Sequence, residues 1–144
     1  MQAEVDEWVR KAFDASVEDF LALIEEAKEV LDEEKEAREG SGLVRISPQA
    51  ARNVVIVGDI HGDMESLVHI LKEIEAVNAD RIVFLGDYGD RGSGSVEVYY
   101  VLLKLKVSDG KGKEKEKKII MLRGNHEGPP DMPVMPHDLP FLFT

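Results

Sequence analysis

The chain has 144 residues, 43% of them hydrophobic, and a formal net charge of −11, a balance that suits one domain with a real core. It contains no cysteine, which excludes disulfides, thiolate catalysis and thiolate-bound zinc or iron–sulfur centres and leaves only oxygen and nitrogen ligands for any metal. The acidic excess sits in residues 1–40, where 14 Asp/Glu face 5 Lys/Arg, and such a negative field argues against a nucleic-acid partner.

The N-terminal MQAEVDEWVRK lacks the basic start and apolar centre of a signal peptide, and no apolar run reaches the roughly 18 residues needed to cross a membrane. A cytoplasmic protein without membrane contact is therefore expected. Val5, Trp8, Val9, Ala12 and Phe13 recur at helical spacing and predict a short first helix, with Trp8 and Phe13 packed against the body. A second helix is predicted from the stripe Val17, Phe20, Leu21, Ile24, Ala27 and Leu31, with Ser16 as N-cap and Asp19 completing a capping box. The acidic run through Glu39 reads as its solvated face. Gly40, Ser41 and Gly42 end the helix, and a connection containing Pro48 follows, with a strand expected at 43–46. The expected division is an acidic helical segment, 1–42, and a domain, 43–144.

From Asn53 onward the pattern alternates. It predicts a strand at 53–58 and a helix at 64–77, with Met64, Leu67, Val68, Leu71 and Ile74 on one face. A strand at 81–85 comes next, then a helix from Ser95 with Val96, Tyr99, Tyr100 and Leu103 inward, and a strand at 118–122. The fold class is α/β: a β-α-β-α-β unit with a three-stranded parallel sheet and right-handed crossover helices, preceded by the helical N-terminal segment. Lys111 to Lys118, in GKGKEKEKK, reads as a solvated loop of mixed charge, because its glutamates dilute any basic phosphate patch.

Three short strings carry the chemistry: GDIHG at 58–62, GDYGDRG at 86–92 and GNHE at 124–127. Each follows an apolar run of strand length, so their polar groups should gather at one edge of the sheet, where open α/β sheets place ligands. Metal-assisted phosphoester hydrolysis uses two cations about 3.5–4 Å apart that hold phosphoryl oxygens and acidify a bound water to hydroxide. Asp59 and His61, one residue apart in an extended exit, should emerge on the same side and share one metal. Asp87 has two oxygens with which to bridge two cations, and Asn125 offers a neutral oxygen to the second. The glycines at 58, 62, 86, 92 and 124 allow sharp turns and close approach. Arg91 presents a planar donor fork suited to phosphate oxygens. His126 is placed to give a proton to a departing alkoxide, and Asp90 to hold and charge that imidazole. His137, in PHDLP, reads as a loop histidine, and His69 as a structural or exposed helix residue.

The strings match GDxHG, GDxxDRG and GNHE without a break, and over about residues 53–128 the chain resembles the phosphoprotein phosphatase family of serine/threonine phosphatases, within the calcineurin-like metallophosphoesterases. The GPPDMPV continuation is similar to archaeal members. The resemblance implies a metallophosphoesterase-like half fold and two divalent metal ions, manganese first, with iron or zinc also compatible. By it, Asp59, His61, Asp87 and Asn125 would be metal ligands, His126 and Asp90 the proton-donating pair, and Arg91 a phosphate contact. It further implies attack by metal-bound hydroxide on a phosphoprotein, and admits diadenosine tetraphosphate hydrolysis by the same chemistry. Family members continue past GNHE with a second sheet, two more histidine ligands and another phosphate-binding arginine, whereas this sequence stops at Thr144. An incomplete second metal shell, weak or absent turnover by the isolated chain and self-association through an uncovered sheet face are the resulting expectations. A non-catalytic remnant that binds metal or a partner is the other functional class.

Overall fold

Runs rich in Val, Ile and Phe favour the pleated, buried strand, and three of them pair as a parallel sheet: β1 (Val54–Val57), β2 (Arg81–Phe84) and β3 (Ile119–Met121), in the order β1-β2-β3. A computed structural model describes residues 2–112, 118–129, 131–132 and 134–138. Val57 pairs with Phe84, and Phe84 with Met121, so all three strands end level with one another. Each crossover is helical, as parallel connections require: α3 (Met64–Ala76) joins β1 to β2, and α4 (Ser95–Gly110) joins β2 to β3.

Strand alternation sorts the side chains onto two faces. On one, Val57, Ile82, Phe84 and Ile119 are buried in a core with Leu67, Leu71 and Ile74 of α3 and Val98, Val101, Leu102 and Leu105 of α4. Truncating the fully buried Phe84 to alanine would cost about 3–5 kcal/mol. On the other face Val54, Ile56, Leu85 and Leu122 are exposed, Ile56 at 65%. This apolar surface has no helix over it among the described residues.

The N-terminal segment forms two helices, α1 (Gln2–Asp14) and α2 (Val17–Ala37), both packed on α4. Ser16 caps α2 as its spacing predicts: its Oγ accepts from Asp19 N at 3.1 Å, and Asp19 Oδ2 accepts from Ser16 N at 3.2 Å. Val5 and Ala12 of α1 and Phe20, Leu23 and Ala27 of α2 join the same core as the sheet. Among the described residues no helix is long and apolar enough to cross a membrane.

Four expectations need correction. Trp8 packs against the core, but Phe13 is 63% exposed. The predicted α2 stripe holds at Phe20 and Ala27 but is narrower than expected: Leu23 joins them, whereas Val17, Leu21, Ile24 and Leu31 are exposed. The face assigned to α4 is too narrow, since Val98, Val101, Leu102 and Leu105 are more deeply buried than Val96, Tyr99 and Leu103. That helix lies between the sheet and the N-terminal pair, so it buries two sides. Finally, residues 43–46 form no strand. The Ser41 and Ser47 hydroxyls accept from the nearby amides of Leu43 and Gln49, local turns that compete with strand pairing.

The loop predicted from Lys111 begins where expected, directly after α4. α4 takes Gly110, Lys111 pairs with Glu26 at 2.8 Å, and residues 113–117 lie outside the described residues.

Candidate metal centre

The loop leaving each strand is stitched to its neighbour by backbone hydrogen bonds. Ile60 N and His61 N donate to Asp87 O at 3.0 and 2.9 Å, and Gly62 N donates to Tyr88 O at 2.8 Å. The exits of β2 and β3 touch more closely still. A Cβ on Gly86 would run into the Gly124 backbone, and a Cβ on Gly124 into the Asp87 carboxylate. Gly58, by contrast, has open space around it and no unusual φ, so the close-approach role predicted for it is not needed there.

His61, Asp87, Asp90 and Arg91 all take left-handed backbone, with φ of 49°, 53°, 62° and 67°. Such conformations cost non-glycine residues about 1–3 kcal/mol each and persist where surrounding bonds over-determine them. The left-handed turn at His61 also corrects the route by which it meets Asp59. Their side chains approach, Asp59 Oδ2 to His61 Nε2 at 3.6 Å, but through this turn rather than through the alternation of an extended strand.

His61 Nδ1 lies 3.0 Å from Gly89 O. A carbonyl only accepts, so Nδ1 carries the proton and Nε2 keeps a lone pair. That Nε2 is buried and has no hydrogen-bond partner. It points into a group in which His61, Asp87 and His126 each bring one ligand-type atom within 4.8 Å of the others. An orphaned lone pair beside a buried carboxylate is costly in an apolar interior and is satisfied by a cation.

Asn125 adds a second sign of the same kind. The inner atom of its amide lies 2.8 Å from Asp87 Oδ2 and 3.2 Å from Oδ1. With nitrogen there, Asn125 donates two hydrogen bonds; with oxygen there, three oxygens face one another, which is favourable only around a cation. Oxygen and imidazole donors of this set suit manganese, iron or zinc.

The remaining predicted residues form a second cluster. His126 is buried, and its Nδ1 lies 2.8 Å from Asp90 Oδ2, while Arg91 Nη2 comes within 3.5 Å of His126 Nε2. Asp90, 2% exposed, is further held by Asp138 N, which donates to its Oδ1 at 2.7 Å. His137 is in a loop, as read, but Nδ1 stands 3.4 Å from Asp90 Oδ2, a contact with the site that its sequence position does not announce.

Glu127, the last residue of GNHE, also joins the site. Glu127 Oε2 accepts from Asp87 N at 2.7 Å and Gly124 N at 3.1 Å, and Oε1 from Tyr88 N and the Tyr99 hydroxyl at 2.8 Å each. Burial, reinforced by that carboxylate, pushes both tyrosine phenols far above their ordinary range, so each stays a neutral donor. Of the seven predicted residues, the structure gathers Asp87, Asn125, His126, Asp90, His61 and Arg91 around one point. Asp59, mostly exposed, lies outside the tight three-residue group and meets it through His61.

The calcineurin-like phosphoesterase family model matches residues 52–142. The chain is 37% identical over 109 residues to serine/threonine-protein phosphatase 7 of Arabidopsis thaliana, an alignment covering 75% of this chain and 24% of that protein. It is 40% identical over 76 residues to the serine/threonine-protein phosphatase 4 catalytic subunit of Eremothecium gossypii, covering 51% of this chain and 22% of that one. The chain thus spans about a quarter of the length of these relatives.

Proposed function

The chain belongs to the calcineurin-like phosphoesterase family, and on that premise we propose that it hydrolyses phosphate monoesters, with phosphoserine and phosphothreonine of proteins as the substrate class. The observation that carries this reading is the buried, unpartnered Nε2 of His61, held by Gly89 O in the tautomer that presents a lone pair beside Asp87 and His126. Asp59, His61 and Asp87 would hold one divalent cation, and Asp87 with Asn125 a second, manganese being the first choice. Cations bound there supply positive charge against the phosphoryl oxygens and make a nucleophile available at neutral pH.

The chain's own residues then divide the work. Asp90 accepts from His126 Nδ1–H and so fixes the ring with Nε2 facing the space of the departing alkoxide, to which the doubly protonated ring would give its Nε2 proton. Arg91 is exposed, and its guanidinium reaches the same nitrogen, so the proton donor and a fork for phosphate oxygens address one space. The two relatives named above are protein phosphatases, which favours a phosphoprotein over diadenosine tetraphosphate.

The test is a manganese titration of the chain followed by assays on a phosphopeptide and on the dinucleotide. Binding of manganese, with phosphopeptide turnover abolished by chelation and by His126→Ala, is expected. A chain that binds no divalent cation would overturn the reading. Because Asp87 and Asn125 are the only ligands assigned to the second cation among the described residues, that site is expected to bind more weakly than the first, and turnover by these 144 residues alone to be low.

A second reading rests on the open sheet face. Val54, Ile56, Leu85 and Leu122 form an exposed apolar surface of the kind that marks an interface, and we propose that the chain associates with itself through it. Sedimentation velocity should show concentration-dependent association that Ile56→Lys suppresses. A wild-type monomer throughout would sink this second reading and leave the first intact.

A further inference from the structure

We infer that Glu127 is a positioning residue for the metal centre, a role that rests on the reading above and concerns how Asp87 is held in place. The carboxylate of Glu127 has four donors, and they come from three different parts of the fold. Asp87 N and Tyr88 N belong to the loop after β2, Gly124 N to the loop after β3, and the Tyr99 hydroxyl to α4. Asp87 returns the contact, because its Oδ1 accepts from His126 N at 2.9 Å. The side chain of each loop therefore binds the backbone of the other, a reciprocal clamp across two parallel strands.

The clamp acts where the backbone needs it. Asp87 sits at φ 53°, a conformation an unsupported aspartate rarely adopts. Its amide is bound by Glu127, and its carbonyl is bound by Ile60 N and His61 N. Holding that peptide fixes where the Asp87 carboxylate points, relative to both His61 and Asn125. Arg123 Nε, donating to Glu127 O at 2.6 Å, ties the backbone of the same residue. Groups that orient metal ligands in this way set metal affinity without touching the ion.

Glutamine cannot replace this carboxylate. Its amide has one oxygen, so its NH2 must face either the Asp87–Gly124 pair of donors or the Tyr88–Tyr99 pair. The Tyr99 hydroxyl can turn to accept, but a backbone N–H cannot, and at least one amide of the clamp loses its partner.

The experiment uses the full chain and two readouts: manganese affinity by isothermal titration, and amide hydrogen exchange at Asp87, Tyr88 and Gly124 by NMR in metal-free protein. Glu127→Gln should weaken manganese binding about tenfold and accelerate exchange at those amides. Glu34→Ala, which loosens the N-terminal helices far from the site, should lower thermal stability yet leave manganese affinity unchanged. Manganese binding by Glu127→Gln within about twofold of wild type, or an equal loss in Glu34→Ala, would overturn the positioning role. If Glu127→Gln does not fold, Tyr99→Phe takes its place, with faster exchange at Tyr88 and about two- to threefold weaker manganese binding expected; no change in either overturns the role. If wild type binds no manganese, the metal-centre reading fails by itself, and the positioning role with respect to Asp87 is then decided by exchange alone.

Discussion

His126 Nδ1 and Asp90 Oδ2 lie 2.8 Å apart with both side chains buried, and the other oxygen of the same carboxylate accepts from Asp138 N at 2.7 Å. In Asp90→Asn a single oxygen cannot serve both. Satisfying Asp138 turns the NH2 toward the imidazole and moves its proton, at least in part, to Nε2. Imidazole 15N shifts should report Nδ1–H in the wild type and a mixture or reversal in the variant. Phosphopeptide kcat should fall about a hundredfold with KM nearly unchanged, since a ring whose Nδ1 accepts from asparagine cannot carry the second proton that Nε2 gives to the leaving group, while substrate contacts are untouched.

The glycines of the motifs are not equivalent. A Cβ on Gly124 would collide with the Asp87 carboxylate, whereas one on Gly58 meets nothing within 4 Å. Gly124→Ala should therefore weaken manganese binding by about tenfold or more, and Gly58→Ala should leave it near wild type. Calorimetric titration of both variants checks the contrast, and equal affinities would remove the steric argument.

The strands and motif positions were legible because their causes are local. β-branched runs mark β1, β2 and β3, and glycine–acid pairs at fixed offsets mark the loops that follow. The helix faces were only partly legible: in α2 the predicted Phe20 and Ala27 reach the core, but Ile24 and Leu31 of the same stripe are exposed and Leu23, outside it, is buried. The clamp left no trace at all, since Glu127 binds the amide of a residue 40 positions away and nothing in its spacing distinguishes it from a turn glutamate. The left-handed φ of His61 is equally silent, because its cause is a set of bonds to Asp87 and Gly89 supplied by another strand's loop.

Lys106 is a buried cation within α4. It is 0% exposed, and its Nζ donates to Glu34 at 2.5 Å and to Ile119 O at 2.6 Å, so one buried ammonium joins α2, α4 and β3. Removing the counter-ion strands that charge, and Glu34→Ala should cost about 3 kcal/mol. Lys106→Met removes the charge and fills similar space, leaving chiefly the Ile119 carbonyl unpaired, a loss of about 1 kcal/mol. Thermal or urea unfolding of the two variants should rank them in that order. The reverse order would mean that the pair contributes little and that lysine packing dominates.

Acid should loosen the start of the sheet before its core. Asp80 Oδ2 accepts from Asn53 N at 2.9 Å and Arg52 N at 2.8 Å, bonding the entry of β1 to the turn before β2. Those two amides, Asn53 first and Arg52 second, hold the Asp80 carboxyl below its ordinary value of 3.8. A carboxyl depressed in the folded state contributes stability that is fully present above its unfolded value, and that stability is lost as pH falls through the folded one. Wild type should therefore lose melting temperature from near pH 4 downward. Asp19 and Asp63, which cap helices and are depressed by Ser16 and Ser66, contribute in the same window. Only a comparison isolates Asp80: Asp80→Asn should melt below wild type at pH 7, and the gap should close as pH falls below the ordinary carboxyl value of 3.8 and through the depressed folded one. A gap that stays constant from pH 7 to pH 2 would show that the two amide bonds do not depend on the charge of Asp80.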